Sequence, residues 1–328
     1  MTGETTNRLV TVFGGSGFLG RHVVRALVKR GYRVIVAVRR PDLAGHLQPL
    51  GRVGQIHALQ ANVRYPASVD AATRDAAAVV NLIGILFERG KQRFDAVQWM
   101  GAEAVAKSAA ARGARLVHVS AIGADPESAS AYGRSKARGE QAVLAAKPDA
   151  TILRPSIMFG PEDSFFNRFA GIARMSPVLP LIGGGLTRFQ PVFAGDVAAA
   201  VVKAVDGETV PGTVYELGGP EILTFRELME YMLKTIERRR LLVPLPFGLA
   251  RLQGMFLQYL PNPPLTPDQV EMLRHDNVVS AQARDERRTF EGLGITPDAM
   301  ETIVPSYLWR FRKTGQFKPP QRAVPPKV

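Results

Sequence analysis

Through the first half of the chain, short apolar runs rich in β-branched residues alternate with stretches whose apolar positions recur at helical spacing. Leu9–Phe13 predicts a strand, Phe18–Arg30 a helix ended by Gly31, Tyr32–Val38 a second strand and Gln55–Leu59 a third. Ala77–Gly84 predicts the fourth strand, residues 94–112 a long helix, and Ala114–Ser120 the fifth strand. A helix over Ser135–Ala146 and a strand at Ala150–Pro155 complete the series. Fully apolar strands alternating with helices predict an α/β fold, doubly wound about a parallel sheet. From Ser156 onward, prolines and glycines break the chain into shorter elements. Thr213–Gly219 predicts one more strand returning to the sheet. Helices at Thr224–Arg238 and Thr266–His275 predict a smaller, mainly helical C-terminal domain. The expected sheet domain covers residues 1–155, completed by about 190–220. The smaller domain takes 156–189 and 221–315, and a Pro-rich basic tail, extended or disordered, takes 316–328.

Composition narrows the classes. With 46% hydrophobic and 22% charged residues, a chain of 328 can bury a sizeable core and is not globally disordered. The absence of cysteine removes disulfides, thiolate metal sites and cysteine nucleophiles. His22, His46, His57, His118 and His275 have no ligand spacing, so no metal is expected. No run nears the roughly 20 apolar residues of a bilayer-spanning helix, and the polar start predicts no secretory signal. The charge changes the picture more: 42 Lys and Arg against 29 Asp and Glu give a net +13. Two readings of that excess stand, a solvated surface or an attraction to phosphates, acidic headgroups or an acidic protein face. No helix-turn-helix, zinc-finger or RNP-like pattern accompanies it, so nucleic acid is not an expected partner.

The sharpest local signal is glycine spacing. Gly14, Gly17 and Gly20 fit GxxGxxG directly after an apolar strand and at the opening of a helix, the setting of a Rossmann dinucleotide turn. Glycine lets the backbone approach a pyrophosphate, and the helix N-terminus faces the anion. The second strand ends in Arg39 and Arg40, where an NAD site places an acidic residue for the ribose hydroxyl. Two guanidiniums suit a 2′-phosphate, so NADPH is the expected cofactor. Arg21 either adds to that pocket or is a solvated helix residue. Asn62 and Val63 after the third strand, and Leu82, Ile83 and Gly84 at the end of the fourth, stand where adenine and ribose contacts arise. Packing is the alternative at each. Further on, Tyr132 and Lys136 have the spacing that puts both on one helix face. The ammonium is expected to lower the phenol's pKa, making it an acid or base for hydride transfer.

GGSGFLGR, VVNLIG, HVSAIGA, YGRSK, LRPSIMFGPED and QPVFAGDVA together resemble the extended, atypical branch of the short-chain dehydrogenase/reductase superfamily over residues 8 to about 220. LPLIGGGLTRFQPVFAGDVA, YELGGPEILTFRELM and PSYLWRFRKTGQF carry a closer likeness, to the NADPH-binding accessory subunits of respiratory complex I. The likeness is to the alpha-subcomplex subunit 9 type and its alphaproteobacterial relatives. The resemblance implies a bound NADPH that does not turn over, and a place in the peripheral arm beside the membrane arm. It also implies partners among the complex I subunits near the quinone site. Residue by residue, it implies pyrophosphate contacts from Gly14, Ser16, Gly17, Phe18, Leu19 and Gly20, and 2′-phosphate contacts from Arg39 and Arg40. Ser120, Tyr132, Lys136 and Pro155 would surround the nicotinamide half. Extended members carry a second hydroxyl two residues beyond the serine that closes the fifth strand. Here Ser120 closes the strand and Ile122 takes that place, which weighs against dehydrogenase chemistry. Ser120, Ser128 or Ser130 are the available substitutes, and Tyr132 with Lys136 keeps a free NADP-dependent reductase or epimerase open.

Leu241–Leu260, directly after Arg238, Arg239 and Arg240, is apolar but broken by prolines and glycines. A basic cluster beside such a segment reads as a contact with an anionic membrane surface or a partner groove; a core helix is the alternative. Tyr307–Lys313 mixes aromatics with cations, as interfaces do, or packs the smaller domain. Asp196 reads as a helix cap. The expected location is peripheral, on the cytoplasmic side of a bacterial inner membrane.

Overall fold

A computed structural model describes residues 8–315; the Pro-rich tail expected over 316–328 lies outside the described residues. The strands are β1 (Leu9–Phe13), β2 (Arg33–Val38), β3 (Ile56–Gln60), β4 (Ala78–Asn81), β5 (Arg115–Val119), β6 (Thr151–Pro155), β7 (Met158–Phe159), β8 (Val178–Ile182), β9 (Arg188–Phe189), β10 (Val192–Phe193), β11 (Val214–Leu217), β12 (Leu223–Thr224) and β13 (Leu241–Leu245). Seven of them form one sheet in the order β11-β6-β5-β4-β1-β2-β3. Every neighbouring pair in it is parallel. The helices are α1 (Phe18–Lys29), α2 (Pro66–Thr73), α3 (Met100–Ala111), α4 (Ala131–Ala146), α5 (Phe166–Met175), α6 (Ala194–Asp206), α7 (Phe225–Thr235), α8 (Phe247–Leu257), α9 (Pro267–Met272), α10 (Ala281–Asp285), α11 (Met300–Ile303) and α12 (Pro305–Leu308).

Alternation along each strand sorts the two faces. Val10 and Val12 meet Val23, Val24 and Leu27 of α1 and Val197 and Val201 of α6. Phe13 and Val79 face the other way, onto Val69 of α2 and Val105 and Ala109 of α3. Each such fully buried aliphatic side chain contributes about 1.5–3 kcal/mol of transfer free energy before chain entropy is charged against it. A third core lies outside the sheet, where Phe166, Leu179, Phe225, Met229, Met232, Val304 and Leu308 pack together. Thr224 and Glu227 close a reciprocal capping box at the start of α7.

The expected elements and the observed ones differ in informative ways. The long helix over 94–112 begins as a π-helical turn, Asp95–Trp99, before α3. Helix α4 starts four residues before its expected position, because the Ser130 hydroxyl accepts from Gly133 N and caps it. Tyr132 therefore sits in the first turn. Helices α2 and α5 have no counterpart among the expected elements; α2 buries only Val69, Ala72 and Thr73, too few to print a period. Phe290 and Leu293 join the core of the sheet, so the chain crosses back over the division expected at residue 221.

Strand order reverses between β1 and β4, whose last residues, Phe13 and Asn81, are register partners. The chain leaves them at Gly14 and Leu82, the switch point at which an open parallel sheet forms its crevice, outside the carboxyl ends of the strands.

Candidate functional site

The crevice floor is the turn from β1 into α1. Gly14 has φ +79°, a conformation that a side chain would strain, and a Cβ there would lie 3.3 Å from Ile83 Cγ1. Gly20 packs on the backbone of Gly14 and Gly15 with no room for a Cβ. Gly17 precedes the helix, its N–H donating to Gly14 O at 3.0 Å. No side chain caps α1 and its first turn holds no acid. The N–H groups of Phe18, Leu19 and Gly20 thus point into the crevice without helical partners, a fitting cradle for a pyrophosphate.

Arg39 and Arg40 lie past the end of β2 and are exposed. Arg40 is already engaged: its Nη2 donates to Asp42 Oδ2 at 2.7 Å, and that guanidinium holds the Asp42 carboxyl below its usual range. Arg39 has no side-chain hydrogen bond or ion pair to another described residue, leaving its guanidinium the freer of the two to meet an anion. Asn62 uses its Oδ1 to accept from Arg64 N at 3.2 Å, and Val63 is buried against Gly101, so turn-building and packing already occupy both side chains. Leu82 and Ile83 pack beside the two faces of the sheet above Gly14. Arg21 reaches Glu162 at 3.4 Å, half-exposed.

Tyr132 and Lys136 meet as their spacing requires. Both are buried, with the Lys136 ammonium 6.0 Å from the phenol ring centroid. Lys136 Nζ donates to Val119 O at 3.3 Å and lies where a Cβ on Gly84 would be only 3.3 Å away, so glycine at 84 makes room for it. Burial lowers the Lys136 pKa to about 8, with Glu140 opposing the shift. The expectation for the phenol is reversed. Burial, and then the negative charge of Asp268, push Tyr132 up to about 12. His118, in β5, is pushed down to about 3 by burial and then by Lys136; its Nδ1 pairs with Asn81 Nδ2 at 3.1 Å.

Ser120 Oγ is buried with no hydrogen-bond partner among the described residues, as is His118 Nε2. Such orphaned polar atoms are costly unless a ligand supplies the partner. Pro155, at the end of β6, accepts Ile122 N at 3.0 Å. Ile122 is buried with Val279 and Ala283, so an apolar contact from the C-terminal segment fills the place of a hydroxyl. Ser128 and Ser130 serve the turn before α4: Ser130 donates to Asp268 and Ser128 accepts from Ser130 N. Asp196 is not the cap of α6. It lies in the first turn behind Phe193, accepts Asp298 N at 2.8 Å, and is raised to about 6 by burial.

Three residues that the spacing did not single out organise this wall. Gln98, in the π-helical turn, donates to Ser135 Oγ at 2.7 Å and accepts Ile85 N at 3.2 Å, tying α4 to the loop after β4. Asn277 bonds Ser156, Ile157 N and Ile122 O, joining three segments. Asp268 accepts Ala131 N at 2.6 Å, Tyr132 N at 3.2 Å and the Ser130 hydroxyl at 2.9 Å. Their partners are distant in sequence, so no local pattern points to them. A cleft of about 310 Å³ opens between Leu86, Phe87, Ser164, Arg168, Pro263 and Gln269.

Away from the crevice, Leu241–Leu260 is neither wholly core nor wholly surface. Its first part, β13, pairs with β8, and α8 buries Ala250 and Gly254. Leu249, Leu252, Met255 and Phe256 are exposed, Phe256 by 71%. At 100° per residue these four span an arc of about 120°. Arg238 and Arg240 spend hydrogen bonds on Phe311 O and Ala173 O, while Arg239 and Arg251 remain exposed. In the terminal segment, Tyr307 and Leu308 are core; Tyr307 donates to the buried Asp163 at 2.5 Å, and Trp309 is 37% exposed.

Residues 10–218 match the NAD dependent epimerase/dehydratase family. The chain is 37% identical over 321 residues to the mitochondrial NADH dehydrogenase (ubiquinone) 1 alpha subcomplex subunit 9 of Arabidopsis thaliana, covering 94% of this chain and 79% of that protein. It is 31% identical over 313 residues to the mitochondrial NADH-ubiquinone oxidoreductase 40 kDa subunit of Neurospora crassa, covering 94% and 81%. Similarity to the Ceramide reductase of Caulobacter vibrioides is 36% over 194 residues, 59% of this chain and 60% of that one. Among solved structures, a Bacillus anthracis dTDP-glucose 4,6-dehydratase in complex with NAD superposes with TM-score 0.70 at 16% identity, over 92% of this chain and 95% of the other. That likeness shows the shared extended Rossmann fold.

Proposed function

The chain belongs to the NAD dependent epimerase/dehydratase family, and from that premise we propose an NADPH-binding accessory subunit of a respiratory NADH:quinone oxidoreductase. Its relatives among the complex I alpha-subcomplex subunits run along almost its whole length. The observation that carries the reading is a complete dinucleotide cradle beside a wall whose second hydroxyl is replaced by Ile122, packed on Val279 and Ala283. Such a site binds without an oxyanion partner for a substrate carbonyl.

In this reading Phe18, Leu19 and Gly20 offer backbone N–H groups to the pyrophosphate. Arg39, joined by Arg40 when it leaves Asp42, takes the 2′-phosphate. Lys136 and the orphaned Ser120 hydroxyl bond the nicotinamide half, relieving the cost of their burial. The nucleotide would supply a reduced nicotinamide, held as a fixed part of the subunit. The exposed apolar face of α8, with Arg239 and Arg251 nearby in sequence, suits the headgroup boundary of an anionic membrane. No helix among the described residues is long and apolar enough to cross a membrane. Peripheral attachment on the cytoplasmic side, beside other complex I subunits near the quinone site, follows from the same reading.

A second reading, a free NADP-dependent reductase, is favoured by the retained Tyr132–Lys136 pair and the partial likeness to Ceramide reductase. Replacing the chain by its Tyr132→Phe variant in the cell separates the two. A structural subunit keeps assembly and respiratory activity near wild type. A reductase loses on the order of 100-fold or more with its proton donor, and that loss overturns the first reading.

A further inference from the structure

Helix α4, which carries Tyr132 and Lys136, does not satisfy its own N-terminus. Ser130 Oγ accepts only Gly133 N, at 3.3 Å. The N–H groups of Ala131 and Tyr132 are taken instead by the carboxylate of Asp268, more than 130 residues later, which also accepts the Ser130 hydroxyl. Asp268 is itself held firmly. It lies in the first turn of α9, whose N-terminus is closed by the reciprocal Thr266–Gln269 capping box. Against that turn packs α8: a Cβ on Gly254 would lie 3.0 Å from Thr266 C and Pro267 N, so the two segments touch backbone to backbone. Ile182, Ala250 and Val270 seal the contact. The segment that exposes an apolar face to its surroundings is therefore the one that grips the start of the Tyr132 helix.

We propose that Asp268 is a positioning residue for the nicotinamide half of the site, setting the placement of Tyr132 and Lys136 from the α8–α9 segment. The proposal rests on the nucleotide-binding reading above and extends it. A carboxylate on two helix N–H groups makes charge-assisted bonds aligned with the helix dipole, and its removal leaves both groups without that partner in a part-buried place. The effect is confined by geometry. Among the described residues, no hydrogen bond joins the turn at Gly14, Gly17 and Gly20 or the end of β2 at Arg39 to Asp268 or α4. Loss of the carboxylate therefore loosens the nicotinamide half and leaves the adenosine half intact.

The test uses the purified full chain with two probes, NADPH and adenosine 2′,5′-bisphosphate, the second lacking a nicotinamide. Binding is followed by calorimetry for both and by the emission of the bound reduced nicotinamide. In Asp268→Ala, NADPH affinity is expected to fall about tenfold and the nicotinamide emission to move toward its value in water, with the bisphosphate unchanged within about twofold. Asp268→Glu, keeping the carboxylate, should recover most of the affinity. Equal losses for both probes in Asp268→Ala, or unchanged NADPH affinity and emission, overturn the proposal. A folding failure of the alanine variant shows as loss of its cooperative thermal transition, measured before any binding; Asp268→Asn, which keeps an acceptor and the volume, then decides by the same split. Wild-type chain that binds neither probe overturns the nucleotide reading itself, a result distinct from wild-type binding that Asp268 does not influence.

Discussion

Lys136 is the residue on which binding and stability pull apart. Its folded pKa, about 8, lies below the 10.5 of an ordinary lysine, so the charged ammonium costs the folded state stability below pH 8. That cost fades as pH rises from about 8 to 10.5 and is gone above. Lys136→Met is expected to raise the stability of the nucleotide-free chain by about 2–3 kcal/mol at pH 7, with the advantage shrinking by pH 9.5 in paired denaturant titrations. NADPH affinity should fall in the same variant. A gain that is equal at both pH values would mean the ammonium is not the source. At the far end of the crevice, Arg39→Glu is expected to lower NADPH affinity about tenfold or more and to leave NADH affinity unchanged or improved, read by calorimetry. The placement of the glycine turn and of the Tyr132–Lys136 pair was legible in the sequence because it depends on spacings of three and four residues. Asp268, Gln98 and Asn277 were not, because each acts on partners that only the folded chain brings near. The direction of the Tyr132 shift was also hidden, since burial and then the charge of Asp268, more than 130 residues away, set it.

At the scale of elements, the six strands of the first half and the returning strand β11 were readable within one to three residues, since each is a run of apolar residues bounded by polar or glycine signals. The π-helical turn before α3 was not; it packs on a segment distant in sequence, where Gly139 of α4 lies under the Gln98 carbonyl with no room for a Cβ. Helix α8 shows the limit of pattern reading most clearly. Its apolar residues are abundant on every side, so periodicity alone could not say that Ala250 and Gly254 face inward while Leu252 and Phe256 face out. The exposure leads to a prediction about the helix as a unit. Leu252→Glu with Phe256→Glu should leave the melting temperature within a few degrees, as both side chains are exposed. Co-sedimentation with vesicles rich in anionic lipid should drop about tenfold or more. Unchanged sedimentation would remove α8 from the membrane contact.

For the whole molecule, the sheet order places the crevice at the switch between β1 and β4, and the C-terminal segments close it from the other side through Asp268, Asn277 and Ile122. The net charge of +13 and the exposed face of α8 suit a molecule whose surroundings are acidic and partly apolar. In the proposed function the nucleotide serves assembly, and its loss should weaken the assembly before any turnover is missed. The most direct measurement solubilises native membranes gently, separates them on a native gel, and probes each band for this chain, NADH dehydrogenase activity and NADPH content. The account predicts the chain and NADPH together in the large active band. Recovery of the chain only as a free species of its own mass, with the active band lacking it, would contradict the account.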